Sequence, residues 1–105
     1  MDIKYQVIIE KCAQKDIINI YNYIAFILGN IFAADKLVNR IYEKFDEISL
    51  FPKSAQVLSN EFVNNSNIRK ILIDNYIAFY EIDEASKEII ILRILHCSMN
   101  YNEMF

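Results

Sequence analysis

Apolar positions change period twice along this chain, and each change marks an element boundary. Residues 3–9 alternate loosely through Ile3, Tyr5, Val7 and Ile9, which predicts a first strand. From Ala13 the spacing becomes helical. Ile17, Ile20, Tyr21, Ile24, Ile27 and Leu28 form one stripe, opposite Lys15, Asp16, Asn19 and Asn22. Gly29, the only glycine, stands where a helix end favours a left-handed residue, and Asn30 after it is a good N-cap. A second stripe runs through Ala34, Leu37, Val38, Ile41, Phe45 and Ile48. It should stop near Leu50, because Pro52 disfavours helical geometry in the residue before it. So short a turn makes the two helices an antiparallel hairpin, and both stripes read as core packing.

Residues 53–66 are polar (Asn60, Glu61, Asn64, Asn65, Ser66) and lack a period, which predicts a loop with one short turn or strand fragment. The period of two then returns in three strands at 68–73, 76–82 and 88–95, closing on Leu95-His96. Asp74-Asn75 between the first two suits a tight hairpin, since Asn tolerates positive φ. That turn sets Ile73 against Tyr76, Ile71 against Ala78, and Arg69 against Tyr80. A loop at 84–87 would set Asp83 against Glu88, Tyr80 against Ile91, and Ala78 against Arg93. Arg69, Ala78, Tyr80 and Arg93 then share a face with Ile71, Ile73, Tyr76, Ile82, Ile89, Ile91 and Leu95. The opposite face, with Ile68, Leu72, Ile77, Phe79, Ile90, Leu92 and Ile94, is expected to take the helices. A slip of one residue would send Arg93 to the other side. Both faces are apolar, and a domain this small covers only one by itself, so the sheet asks for a partner.

The 105 residues suit one domain, 1–105. One Gly and one Pro argue against a linker or a phosphate-cradling loop. No long apolar run spans a membrane, and the N-terminus lacks a secretory pattern, so a cytoplasmic location is expected. Cys12 and Cys97 are read as reduced thiols. With one histidine, they predict neither a metal site nor a cofactor. The net charge of −3 denies the chain the basic field on which nonspecific nucleic-acid affinity rests.

Several stretches, in this order and spacing, resemble one family. They are Ala13-Gln14-Lys15-Asp16-Ile17, Ile20-Tyr21-Asn22-Tyr23-Ile24, Ala33-Ala34-Asp35-Lys36-Leu37 and Phe51-Pro52-Lys53-Ser54. Ile68-Arg69-Lys70, Asn75-Tyr76-Ile77-Ala78-Phe79-Tyr80 and Ile91-Leu92-Arg93-Ile94-Leu95-His96 complete the set. Over nearly its whole length the chain resembles toxins of the RelE/ParE superfamily of type II toxin–antitoxin modules. The resemblance implies an α+β fold, β-α-α-β-β-β, with the antiparallel helical hairpin on one face of a small, mainly antiparallel sheet. It also implies a cognate antitoxin that wraps and neutralises the toxin, in a hetero-oligomer, and a role in plasmid stabilisation. Growth inhibition would follow either from poisoning of DNA gyrase or from ribosome-dependent mRNA cleavage. Many relatives follow the histidine with Gly and one or two Arg before an aromatic residue. This chain has His96-Cys97-Ser98-Met99-Asn100-Tyr101, so the aromatic is kept and the arginines are absent.

Cleavage by a ribose 2′-hydroxyl needs a proton acceptor, a donor for the leaving oxygen, and positive charge at the phosphate. Arg69 and Arg93 could supply the charge, and His96 or Tyr101 could move protons or stack on a base. Gyrase poisoning needs only a surface, for which Arg69, Ile71, Tyr76, Tyr80, Ile91 and Arg93 are the candidates. An acidic chain with few catalytic groups favours gyrase first and the ribonuclease second. The missing arginines motivate a further alternative, a harmless remnant that binds its antitoxin and regulates its operon.

Overall fold

The computed structural model describes residues 3–57 and 67–99. In chain order these form β1 (Gln6–Ile9), α1 (Lys11–Asn22), a π-helical turn (Tyr23–Ile27), α2 (Ile31–Leu50), β2 (Gln56–Val57), β3 (Ile68–Ile73), β4 (Tyr76–Asp83) and β5 (Glu88–His96). The sheet order is β1-β5-β4-β3-β2, with β1 parallel to β5 and every other pairing antiparallel. The architecture is α+β, two helices on one face of a mixed sheet. The predicted strand fragment within 53–66 is β2, and residues 58–66 lie outside the described set.

The helix boundaries follow the sequence signals. Gly29 takes φ +68°, and the Asn30 side chain accepts from the Ala33 backbone N–H at 3.0 Å. Along α2 the predicted stripe is buried at Ala34, Leu37, Ile41, Phe45 and Ile48, with Val38 half-buried. The first stripe holds through Ile24 and then fails. The Leu28 N–H bonds to the Tyr23 carbonyl at 2.9 Å, an i→i+5 bond that takes up one extra residue. This widened turn rotates the residues beyond it. Ala25 is buried, while Ile27 and Leu28, expected in the core, stand in solvent.

The helices cover the face opposite to the one predicted. Their core gathers Ala13, Ile17, Leu37, Ile41, Phe45 and Ile48 with Ile73, Ala78, Tyr80, Ile89, Ile91 and Ile94. Ile68, Phe79 and Leu95, with half-buried Ile77 and Leu92, cluster separately on the other side. Both faces are aliphatic, so alternation alone could not choose between them. Tyr5, with Val7 and Ile9 of β1, joins the helix-side core, in which Ala78 is wholly buried.

Register holds as expected from Ile73↔Tyr76 to Arg69↔Tyr80, and from Asp83↔Glu88 to Tyr80↔Ile91. A bulge then intervenes. Arg93 opposes Phe79 and Ile94 opposes Ala78, which leaves Leu92 as the extra residue. Arg93 therefore does not share a face with Arg69.

Candidate functional site

The predicted site residues do not converge on one place. Arg69 lies on β3 opposite Tyr80, and its Nη1 donates to the Ala55 carbonyl at 2.8 Å. Tyr80 is fully buried, and its hydroxyl donates to the Pro52 carbonyl at 2.7 Å. Burial pushes its phenol pKa up, with the nearby Arg69 charge opposing. Together these bonds fasten the segment after α2 onto the sheet. Ile91 is also fully buried, and Ile71 packs half-buried against the same core. Tyr80 and Ile91 thus present no side-chain surface to a partner. The arginines and tyrosines on their side, against a purely aliphatic opposite face, suggested an open face; the helices cover it.

Arg93 is held by α1. Its Nε donates to Asp16 Oδ2 at 2.8 Å and its Nη2 to Asp16 Oδ1 at 3.0 Å, a two-point carboxylate pair. Asp16 Oδ2 also accepts from the Ile94 backbone N–H at 2.9 Å. β1 pairs with β5 only as far as Ile91, so beyond it Asp16 takes the place of a strand neighbour. The Asp16 hydrogen bonds raise the Arg93 pKa further, which keeps the guanidinium charged.

His96, the end residue of β5, is exposed. Its Nδ1 accepts from the Ser98 backbone N–H at 3.1 Å and lies 2.7 Å from Ser98 Oγ. A backbone N–H can only donate, so this contact suits the neutral tautomer that carries its proton on Nε2. The Tyr76 ring meets the imidazole edge-on, with centroids 5.2 Å apart, and burial raises the Tyr76 pKa. The Cys97 N–H bonds to the Asn75 carbonyl at 2.8 Å, tying the segment after the histidine to the β3–β4 turn. In that turn Asp74, not Asn75, takes the positive φ, at 53°. Tyr101 lies outside the described residues.

The structure thus brings Tyr76 and His96 together and leaves Arg69 and Arg93 apart, each bound to the frame. Tyr76 and His96 line an open cavity of about 360 Å³ with Tyr23, Ile24, Leu28, Ala33, Leu37, Asp74 and Asn75. Sequence reasoning missed the share of the hairpin tip in this cavity. The available signal was the absence of any charged side chain from residue 17 to 34, a longer stretch than one buried stripe requires. Among the described residues, no group of three His, Cys, Asp or Glu is placed to hold a metal ion. Among them, too, no helix is long and apolar enough to cross a membrane.

Residues 7–101 match the family described as the ParE toxin of type II toxin-antitoxin system, parDE. The chain belongs to the ParE toxin family. Solved structures of type II toxins share its fold at low identity. The chromosomal ParDE system of P. aeruginosa contains a chain 21% identical, with a TM-score of 0.66 over 89% of this chain and 96% of that one. In the RelBE2 toxin–antitoxin complex of Mycobacterium tuberculosis the figures are 19%, 0.59, 89% and 98%. A double arginine-to-alanine mutant of the E. coli toxin RelE, in the free state, gives 10%, 0.68, 96% and 92%. No curated protein matches the sequence.

Proposed function

We propose that this ParE-family toxin acts by binding DNA gyrase rather than by cleaving RNA, and that a cognate antitoxin holds it in check. The separation of its cations carries this reading. Phosphate-transfer catalysis needs positive charge and proton-transfer groups converging within hydrogen-bond reach of one reacting centre. Here the Arg93 guanidinium grips Asp16, Arg69 grips the Ala55 carbonyl, and a bulge puts the two arginines on opposite faces. Neither joins His96 at the Tyr76 cavity. Inhibition through a binding surface needs no such convergence.

The antitoxin is assigned to the sheet face away from the helices. Leu72 there is 63% exposed, and Ile77 and Leu92 are half-buried beside it. A partner strand or helix laid along this face would bury them. His96, exposed beside Tyr76, keeps the ribonuclease as the second reading.

Incubation of the purified chain with gyrase and supercoiled plasmid tests the proposal. The expected product is linear DNA trapped in gyrase cleavage complexes, lost when the antitoxin is added first. Unaltered gyrase activity would overturn it. If codon-position cuts then appeared in translated mRNA, the ribonuclease would stand. Full growth on induction would leave the antitoxin-binding remnant.

A further inference from the structure

The tip of the helical hairpin carries the largest group of exposed apolar side chains among the described residues. Tyr23, Phe26, Ile27, Leu28, Ile31 and Phe32 are 50%, 67%, 73%, 59%, 54% and 80% exposed. From ordinary side-chain areas, the six leave on the order of 650 Å² of apolar surface in water. Contiguous patches beyond a few hundred Å² on soluble monomers mark interaction sites. The patch is a product of the backbone: the widened turn at Tyr23–Ile27 is what directs Ile27 and Leu28 outward.

We propose that this tip is a self-association surface, on which two copies of the chain meet through a twofold axis. Three observations select a second copy as the occupant. The exposed area approaches the roughly 800 Å² per partner of a standard protein interface. Residues 17–34 carry no charge, and Asp74, the one carboxylate lining the cavity, is paired with Arg40 at 3.2 Å, so two chains of net charge −3 meet there with little like-charge opposition. The surface also holds both halves of a self-complementary contact. Phe32 projects as its most exposed side chain, while the cavity beside it is walled by Tyr23, Leu28 and Ala33. At about 360 Å³, a volume that about twelve waters would fill, the cavity has ample room for a phenyl ring. In an isologous pair, Phe32 of each copy enters the cavity of the other, an aromatic anchor in a pocket of the kind that dominates interface energetics. Association of this kind also closes the cavity over Tyr76 and His96. It stands independently of whether gyrase or mRNA is the target.

Sedimentation equilibrium of the antitoxin-free chain, under reducing conditions because Cys12 and Cys97 are exposed, provides the test. The wild type should approach twice its 12.4 kDa mass as concentration rises. Phe32→Asp should weaken association by at least about thirtyfold, with an unchanged circular dichroism spectrum because that side chain stands in solvent. Ile3→Asp, at an exposed apolar position away from the tip, should leave the dimer intact. A monomer at every concentration would overturn the proposal. So would a dimer indifferent to Phe32→Asp, or hydrogen-exchange protection of the tip that appears only when antitoxin is added.

Discussion

Asp16 holds three hydrogen bonds from β5, two from the Arg93 guanidinium and one from the Ile94 backbone. Its side chain is only 13% exposed, so removing it takes the two-point carboxylate pair from Arg93 and the side-chain acceptor from the Ile94 N–H. Asp16→Ala should cost about 3 kcal/mol in a denaturant titration, and Asp16→Asn less, because an amide oxygen still accepts from Ile94. Tyr80→Phe loses the bond to the Pro52 carbonyl and the hydroxyl's contact with the Ala55 backbone, and should cost about 1 kcal/mol. At the opposite end of β5, the Tyr5 hydroxyl donates to Glu84 at 2.6 Å and holds that carboxyl below its ordinary pKa, helped by Lys87 and Lys53. The contribution of Glu84 is therefore present above its unfolded-state pKa and is lost as pH falls through the lower folded value. Tyr5→Phe should move the Glu84 midpoint back up in a carboxyl NMR titration. None of these partnerships was legible in the sequence. Arg93 and Asp16 lie 77 residues apart, and the charges nearest Arg93 in the strand pattern were Glu81 and Glu88.

Among the elements, those with local chemical signals were the ones read correctly. Gly29 and Asn30 mark the helical turn by a left-handed φ and a side-chain cap, both of which the structure contains. No atom lies within 4 Å of a Cβ built on Gly29, so Gly29→Ala meets only backbone strain and should cost about 1 kcal/mol in thermal unfolding. Asn30→Ala should cost a similar amount. Two insertions escaped the pattern, the extra residue of the π-helical turn and the extra residue at Leu92. Each shifts the period by one position without changing composition, so Ile27 and Leu28 left the core and Arg93 changed face. Beyond an unseen bulge, side chains sit on the face opposite to the one an unbroken register predicts.

For the molecule as a whole, the β-α-α-β-β-β order, the hairpin and the family were legible, because they rest on periodicity and on stretches kept in order. The face the helices choose was not, since both faces of β3–β5 offer aliphatic rows of similar length. That choice decides which predicted site residues reach the surface. It buries Tyr80 and Ile91 in the core, leaves Leu72 on the outer face, and isolates His96 with Tyr76 at the hairpin tip. An outer-face substitution, Leu72→Asp, should weaken antitoxin binding at least tenfold by calorimetry while sparing the fold. Catalysis is the point at issue, and His96 is the residue that separates the two mechanisms, because it is exposed and can be removed without opening the core. The decisive measurement is induction of the wild type and of His96→Ala in a bacterium, with mRNA 5′ ends and gyrase-linked DNA breaks mapped in the same cultures. The expected result is growth arrest with DNA breaks in both strains. Codon-position mRNA cuts in the wild type that vanish with His96→Ala would contradict it.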